Sequence, residues 1–170
     1  MDERQMQHGV DYDGYQKIAG YVATEKYNGC RGYWDGSILW TRGGLQVRMP
    51  ESWRESFPAG VHLDGEVYDG VDGLLRTVSA VRYGRFTETM RFMVFDCPSV
   101  AGAYHERVDS ARKYESGPIQ VVNYRTIKDI TDAEKELKKI KASGGEGLML
   151  RDDDHPYVPG RTVKIVKLKN

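Results

Sequence analysis

Residues 21–40 read YVATEKYNGCRGYWDGSILW, and this stretch contains the alternation and turn signals from which the fold can be predicted. Its first seven residues alternate as a strand does, with successive side chains on opposite faces. Val22, Thr24 and Lys26 fall on one face of that strand. A lysine therefore shares its face with an apolar residue. The rest of the chain must show whether this lysine has a role beyond that of an ordinary solvated side chain.

Two turn signals divide the same stretch. The Asn-Gly pair at residues 28–29 and the Asp-Gly pair at residues 35–36 both tolerate the backbone angles of tight turns. The β-rich residues on either side of the second pair predict a hairpin closed by a two-residue turn. TRGGLQV, at residues 41–47, is expected to continue that antiparallel sheet or to form its edge.

The later strand and helix signals show no regular β-α-β rhythm. Further strands are predicted for VHLDGEVY (61–68), MRFMVFD (90–96), EGLMLR (146–151) and VKIVKLK (163–169). Helices are predicted for ESWRESF (51–57), for GAYHERVDSARKY (102–114) with a stripe of Tyr104, Val108 and Ala111, and for a segment from Thr131. That last helix has a TDAE capping box, an apolar stripe at Leu137 and Ile140, and Gly144 at its end. The predicted fold class is α+β with mostly antiparallel pairing.

Composition limits the domain count and the class of protein. A chain of 170 residues with 39% hydrophobic content fits one domain, and 25 basic residues balance 25 acidic ones. Any nucleic-acid partner must therefore meet a local basic surface. Cys30 and Cys97 lack a CxxC spacing, which favours free thiols in a reducing compartment. The polar N-terminus contains no signal peptide, so a cytoplasmic protein is expected. Before Tyr21 the sequence indicates only a weak helix or a strap over the sheet.

Several strands each contribute a polar residue that could face a common cleft. Lys167 and Lys169 share a face at period-two spacing, and two neighbouring ammonium groups favour an anion. Glu66 and Glu146 each follow a glycine, and carboxylates beside lysines suggest a divalent metal on phosphate oxygens. The sequence has no Walker loop and no zinc spacing of histidines. Each residue alone also fits an ordinary role, as a solvated lysine, a surface carboxylate or, for Phe95, a core residue.

The order of these segments resembles the order of the sequence motifs in a known family. KYNGCR, at residues 26–31, resembles the KxDGxR motif of covalent nucleotidyltransferases, which include the ATP-dependent DNA ligases and the mRNA capping enzymes. The family's later motifs resemble TRGG (41–44), LDGEV (63–67), FMVFD (92–96), EGLMLR (146–151) and KIVKLK (164–169), in that order. The residues of these motifs are most similar to those of the minimal ATP-dependent DNA ligases of bacteria and phages. The resemblance covers all but the first two dozen residues.

The resemblance implies a fold and a reaction. The fold would be an α+β nucleotidyltransferase (ATP-grasp-like) domain of mainly antiparallel sheets flanked by helices, spanning residues 1–170 and lacking the C-terminal OB-fold domain of the family. Lys26 would attack the α-phosphate of ATP and hold AMP as lysyl-AMP. AMP would then pass to the 5′-phosphate of a DNA nick, and the 3′-hydroxyl would seal it.

Site residues are implied in the same way. The catalytic residues would be Lys26, Lys167 and Lys169, because cations beside a lysine favour the neutral form that can attack. Glu66 would contact the ribose, Phe95 would stack on adenine, and Glu66 and Glu146 would hold Mg²⁺ or Mn²⁺. The implied nucleotide-binding residues are Thr24, Lys26, Arg31, Arg42, Glu66, Phe95, Glu146, Lys167 and Lys169, with Arg31 and Arg42 on the nucleotide or on the nick phosphate.

Two departures from the family pattern affect these expectations. Asn28 stands where the family has aspartate, which removes a negative charge near Lys26. Without an OB-fold domain, self-adenylylation should be slow or absent and DNA affinity weak. The expected partners are nicked double-stranded DNA and a separate OB-fold domain, with no membrane, for a monomer in a bacterial or phage-infected cell. The alternatives are an RNA ligase, a capping-type guanylyltransferase and a catalytically idle nucleotide- or nick-binding module.

Overall fold

Two five-stranded sheets form the framework of the protein. The computed structural model describes residues 6–170. The strands are β1 (Gln7–Asp11), β2 (Val22–Lys26), β3 (Cys30–Trp34), β4 (Leu39–Thr41), β5 (Leu63–Tyr68), β6 (Arg91–Asp96), β7 (Ile119–Val121), β8 (Arg125–Thr126), β9 (Gly147–Arg151) and β10 (Gly160–Leu168). The helices are α1 (Glu51–Arg54), α2 (Leu74–Tyr83), α3 (Tyr104–Ala111) and α4 (Ile130–Ala142).

The strand order mixes distant parts of the chain. The first sheet has the order β1-β10-β9-β2-β8 and the second has the order β4-β3-β5-β6-β7. Among the described strands, only the pairs β1–β10 and β6–β7 are parallel, and the others are antiparallel. The prediction of an α+β fold with mostly antiparallel pairing is confirmed.

The Asn-Gly segment at residues 28–29 carries the chain from the first sheet to the second. Strand β2 ends at Lys26 in one sheet, and β3 begins at Cys30 in the other. A Cβ atom on Gly29 would overlap the carbonyl oxygen of Val67 in β5, so only glycine fits this crossing. This crossing places the end of β2 beside the second sheet.

Two hydrophobic cores determine which strand faces are left for a cleft. The first core surrounds the second sheet, where Phe92, Trp53 and Tyr104 are buried. The second core lies between the first sheet and α4, where Ala23 and Leu150 pack with Leu137 and its helix neighbours. Because strand side chains alternate, Thr24 and Lys26 lie on the face of β2 that α4 does not cover.

Most of the local predictions are confirmed. The stripe on α3 is fully buried, and Leu137 and Ile140 of α4 are buried as expected. A left-handed Gly144 follows α4, as the sequence predicted. Strands β3 and β4 form the predicted hairpin, and β4 is an edge strand.

Other local predictions are wrong. The β3–β4 connection has four residues, not two, because the Asp35 carboxylate accepts hydrogen bonds from the backbone of Ser37 and Ile38. Helix α4 begins at Ile130, and its cap is Asp129, which accepts from the backbone N–H of Asp132. Where the sequence indicated a weak helix or a strap over the sheet, residues 6–20 contain the edge strand β1 and no helix.

Three elements have no counterpart in the sequence analysis. They are α2, β7 and β8. Only Thr77, Ala80 and Val81 are buried in α2, whereas Leu75 is 82% exposed, so its sequence shows no clear apolar stripe. Within residues 6–170, no helix has the length and apolarity needed to cross a bilayer.

Candidate functional site

A cleft of about 970 Å³ lies between the two sheets. This volume is at the upper end of the range usual for small-molecule sites. Among the residues predicted for the site, Thr24, Lys26, Arg31, Arg42, Glu66, Phe95 and Lys167 line it. Glu146 lies instead in an adjoining pocket of about 140 Å³, of which Lys26 also forms part of the wall. The structure therefore brings together seven of the nine predicted residues, with an eighth next to them.

The side chain of Lys26 ends beside a carboxylate. Its Nζ lies 3.1 Å from Oε1 of Glu146. In the sheet register Lys26 is opposite Gly147, where a Cβ atom would overlap the backbone carbonyl oxygen of Leu168 in β10, so only glycine fits beside the amine-bearing residue. The other carboxylate oxygen of Glu146, Oε2, is buried and has no hydrogen-bond partner among the described residues. A buried carboxylate oxygen without a partner is suited to a cation or to a donor from a ligand.

Glu66 lies in the main cleft, opposite Arg31 in the β3–β5 register. Its Oε2 accepts a hydrogen bond of 3.2 Å from the backbone N–H of Gly29. Burial raises the pKa of Glu66 to about 7, although Arg31, the Gly29 bond and Lys26 oppose the rise. Both protonation states of Glu66 are therefore populated near neutral pH. Its carboxyl group can accept a hydrogen bond from a hydroxyl or donate one to it.

Arg31 is held by a buried carboxylate that the sequence analysis did not assign to the site. Its Nε and Nη2 each lie 2.7 Å from an oxygen of Asp64, and Nη2 also donates to the carbonyl of Gln7 at 2.8 Å. Burial opposes the charge, but the charge of Asp64 outweighs it and raises the pKa of Arg31, so the guanidinium stays charged. The signal for Asp64 was its position two residues before Glu66, on the same strand face.

A second arginine, Arg151, lies near the aromatic ring of Phe95. The guanidinium carbons of Arg31 and Arg151 lie 5.0 Å and 5.2 Å from the centre of this ring. Arg151 also donates to Oγ1 of Thr24 at 3.0 Å and lies over the ring of Tyr104. Cation–π contacts of this kind hold a ring and a charge in fixed relation. Arg151 ends the EGLMLR segment, which was quoted as a motif although this residue was not singled out.

The cleft is strongly basic although the chain has no net charge. Seven basic side chains line it, at residues 26, 31, 42, 82, 151, 161 and 167, against the acidic Glu25 and Glu66. Burial lowers the pKa of Lys167, and the charges of Lys169, Lys26 and Arg42 act in the same direction, whereas Asp11 opposes them. Lys169 itself is exposed just beyond β10 and is not part of the cleft wall. Such a concentration of positive charge favours a polyanionic ligand.

The carboxylates suit a metal that takes most of its ligands from a substrate. Residues 6–170 contain no group of three or more His, Cys, Asp or Glu side chains arranged to hold a metal ion. Mg²⁺ is commonly held by one or two carboxylates together with substrate phosphates. The partnerless oxygen of Glu146 beside Lys26 fits that pattern.

The family assignment rests on comparison with known proteins. The model of the ATP dependent DNA ligase domain matches residues 51–169. The chain belongs to this family. The prediction that the chain belongs to the ATP-dependent DNA ligases is confirmed.

Individual ligases resemble this ligase domain over most of its length. The DNA ligase of Haemophilus influenzae is 30% identical over 160 residues, which are 91% of this chain and 59% of that protein. The chain thus spans about three fifths of the length of this curated relative. A Lig E DNA ligase structure is 29% identical with a TM-score of 0.86, over 97% of this chain and 68% of that one.

The fold extends to more distant ligases. The Chlorella virus DNA ligase-adenylate has a TM-score of 0.80 at 21% identity, over 98% of this chain and 67% of that one. At this identity the likeness shows the fold alone. The predicted α+β nucleotidyltransferase fold is confirmed.

Proposed function

We propose that this ligase domain catalyses adenylylation of its own Lys26 by ATP. The observation that supports this most directly is the Lys26 amine at the edge of a basic cleft, 3.1 Å from Oε1 of Glu146. The bond from Nζ to the α-phosphorus forms while the bond from that phosphorus to the bridging oxygen breaks and pyrophosphate leaves. Glu146 is within reach of the proton that the amine must lose.

The remaining cleft residues would bind the nucleotide. The ring of Phe95 offers a stacking surface for adenine, and Glu66 a hydrogen-bond partner for a ribose hydroxyl. Arg31 and Lys167 would face the phosphates, with Lys169 close enough to add to their field. Thr24 would act through Arg151, to which it is bonded. Mg²⁺ or Mn²⁺, held by Glu146 and Glu66, would neutralise charge on the phosphates.

Nicked double-stranded DNA is the proposed acceptor of AMP. Four arginines lie on the cleft wall or near the end of α2, and we call Arg42, Arg48, Arg82 and Arg85 the arginine rim. Arg42 and Arg82 line the cleft, Arg48 lies against Gly84, and Arg85 lies 5.0 Å from the ring centre of the exposed Tyr83. Arginines beside an exposed aromatic ring suit a phosphate backbone. The 5′-phosphate of the nick would then reach Lys26, and the 3′-hydroxyl would displace AMP.

We also propose the cellular setting that the sequence suggested. The domain would work as a monomer in the cytoplasm of a bacterial or phage-infected cell, with an OB-fold domain closing over the nick. Cys30 and Cys97 are both free, in agreement with a reducing compartment.

Intact mass spectrometry after incubation with ATP and Mg²⁺ tests the proposal. We expect a mass gain of one AMP in the wild type that is absent in Lys26→Ala. Lys164→Ala is the matched control, because Lys164 pairs with Asp152 at 3.6 Å and is not part of the cleft wall, and it should keep the adduct. Parallel incubation with GTP tests the choice of nucleotide.

Other outcomes would point elsewhere. An adduct that persists in Lys26→Ala would contradict the assignment of the nucleophile. No adduct in the wild type, together with tight binding of a nicked duplex, would favour the catalytically idle nick-binding module. The exposed Asn28 beside Lys26 is the feature that motivates this second candidate.

A further inference from the structure

A closed ring of hydrogen bonds surrounds the guanidinium of Arg31. Two of its bonds run from Arg31 to the carboxylate of Asp64, and a third runs from Arg31 to the carbonyl of Gln7. The hydroxyl of Tyr157 completes the ring, because it donates to Oδ2 of Asp64 at 2.6 Å and accepts from the backbone N–H of Gln7 at 3.1 Å. We call these four residues the Arg31 ring.

The members of the Arg31 ring come from four distant parts of the chain. Gln7 belongs to β1, Arg31 to β3 and Asp64 to β5, while Tyr157 lies in the loop between β9 and β10. Asp64 is fully buried and Gln7 is 4% exposed, so water has little access to replace a lost bond. Burial and the charge of Asp64 both raise the pKa of Tyr157, which keeps its hydroxyl protonated and donating.

The loop that contains Tyr157 is attached to α3 through two residues of that helix. Asp153 accepts from the backbone N–H of His105 and pairs with its ring, with atoms 2.8 Å and 2.7 Å apart. Arg107, itself buried, donates to the carbonyl of His155 at 3.1 Å. These bonds attach the segment just before Tyr157 to α3, so the loop is anchored close to the residue that carries the hydroxyl.

The ring leaves one nitrogen of Arg31 for a ligand. Nε and Nη2 are used by Asp64 and Gln7, whereas Nη1 makes no hydrogen bond to the residues that the structure describes. The guanidinium lies over Phe95 at the same time. A planar group with two of its nitrogens bonded and one face on a ring has a single orientation, so the direction of Nη1 is fixed.

We propose that Tyr157 is a positioning residue for the nucleotide site. Its hydroxyl holds Asp64, and through Asp64 it fixes the guanidinium of Arg31 above Phe95 with Nη1 directed to the bound nucleotide. This role rests on the proposed function, in which the cleft binds ATP. Tyr157 lies between the motifs of the family resemblance, and no spacing in the sequence connects it with Arg31.

Tyr157→Phe removes the hydroxyl and keeps the aromatic ring. The matched control is Tyr33→Phe, since Tyr33 lies beside Tyr157 with ring centres 6.4 Å apart but bonds to His62 and not to Asp64. We expect Tyr157→Phe to raise the KM for ATP in adenylylation by about tenfold, the usual effect of losing a hydrogen bond to a charged group. The rate at saturating ATP should change less than about twofold, since the interaction lost is one of binding.

The split between KM and the saturated rate separates positioning from a general loss of structure. A purely structural loss in Tyr157→Phe would lower Tm and reduce the rate at saturating ATP, whereas a loss of positioning raises the KM for ATP and leaves that rate nearly unchanged.

An NMR measurement makes the inference independent of catalysis. The Nε–H signal of Arg31 should be sharp and slow to exchange in the wild type and in Tyr33→Phe, and broadened or lost in Tyr157→Phe. A wild type without an adduct would overturn the proposed function, whereas the NMR comparison would still decide whether the ring fixes Arg31. If Tyr157→Phe matches Tyr33→Phe in KM and in the Nε–H signal, the inference is wrong.

Discussion

The Lys26 amine lies 3.1 Å from a carboxylate oxygen of Glu146, although the two residues are 120 positions apart in the chain. Strands β2 and β9 are neighbours in the first sheet, and their register places Lys26 opposite Gly147. The pair therefore depends on one strand pairing, and the proposed chemistry depends on the pair.

Glu146→Gln tests the carboxylate beside the nucleophile. We expect adenylylation of Lys26 to slow by about 100-fold, because a proton acceptor and a metal ligand are both lost. The rate of AMP adduct formation, followed by intact mass, is the measurement. Glu25→Gln is the control, because Glu25 lines the same small pocket and forms no bond to Lys26 among the described contacts. Equal losses in both variants would contradict a specific role for Glu146.

Phe95→Leu tests the stacking surface. A base stacked on an aromatic ring contributes about 1–3 kcal/mol, so we expect ATP affinity, measured by calorimetry with Lys26→Ala in the background, to fall by about tenfold. Phe86→Leu makes the same truncation against Trp53, where the rings are 4.6 Å apart and away from the cleft. An unchanged affinity in Phe95→Leu would mean that adenine binds elsewhere.

Glu66→Gln tests the raised pKa of this buried carboxyl. The folded protein holds the Glu66 proton up to about pH 7, whereas the unfolded chain releases it near the ordinary value of 4.5. Wild-type stability from this group is therefore full below that value and decreases as pH rises towards 7, by at most about 1.4 kcal/mol per pH unit.

The glutamine variant lacks this proton linkage. Its free energy of unfolding, measured with urea from pH 5 to pH 7.5, should rise relative to the wild type as the pH increases. A difference between the two proteins that stays constant with pH would show that Glu66 titrates normally. Glu55→Gln, on an exposed side chain, serves as the control for the loss of one charge.

The double variant Arg82→Ala, Arg85→Ala tests the arginine rim as a DNA contact. Each lost phosphate contact lowers the slope of log affinity against log salt by about 0.9, so the slope for a nicked duplex should decrease by about two. The control is Lys138→Ala, Lys141→Ala on α4, which covers the face of the first sheet that is turned away from the cleft. A slope reduced equally in both variants would mean that the basic charge acts without a specific surface.

Arg107→Leu tests the buried ion pair between Arg107 and Asp96. Arg107 and Asp96 are both almost fully buried, and Nε lies 2.8 Å from the carboxylate. Leaving that carboxylate without its partner should reduce the free energy of unfolding by about 3–5 kcal/mol, measured by urea denaturation. Arg112→Ala breaks the exposed pair with Asp109 and should cost less than about 1 kcal/mol. Similar losses in the two variants would refute this difference between buried and exposed pairs.

Local signals predicted much of the framework. Alternation identified β2, β5, β6, β9 and β10, and helical periodicity identified α3 and α4, because each pattern records which face of an element is buried. Helix α2 and the short strands β7 and β8 show no such periodic pattern of apolar residues, so they were not predicted. The boundary of α4 was misplaced because the side chain of Asp129, which lies before the periodic residues, caps the helix.

The site residues that belong to the family motifs could be predicted from the sequence. The resemblance named Lys26, Arg31, Glu66, Phe95 and Lys167, and all five line the cleft. It assigned no role to Asp64, Arg151 or Tyr157. Asp64 bonds to Arg31, Tyr157 bonds to Asp64, and Arg151 lies over the ring of Phe95. A side chain that acts through another side chain has no fixed spacing in sequence.

The sequence by itself predicted most of the strands and the family, and it suggested Lys26 as the nucleophile, because these inferences depend on local periodicity and on short ordered motifs. Tertiary structure alone decided that Glu146 reaches Lys26, that Tyr157 closes the ring around Arg31, and that seven basic side chains of a neutral chain line one cleft. The physical reason is that these relations join residues on different strands and sheets. Their distances follow from how the two sheets pair and pack, which no local stretch of the chain records.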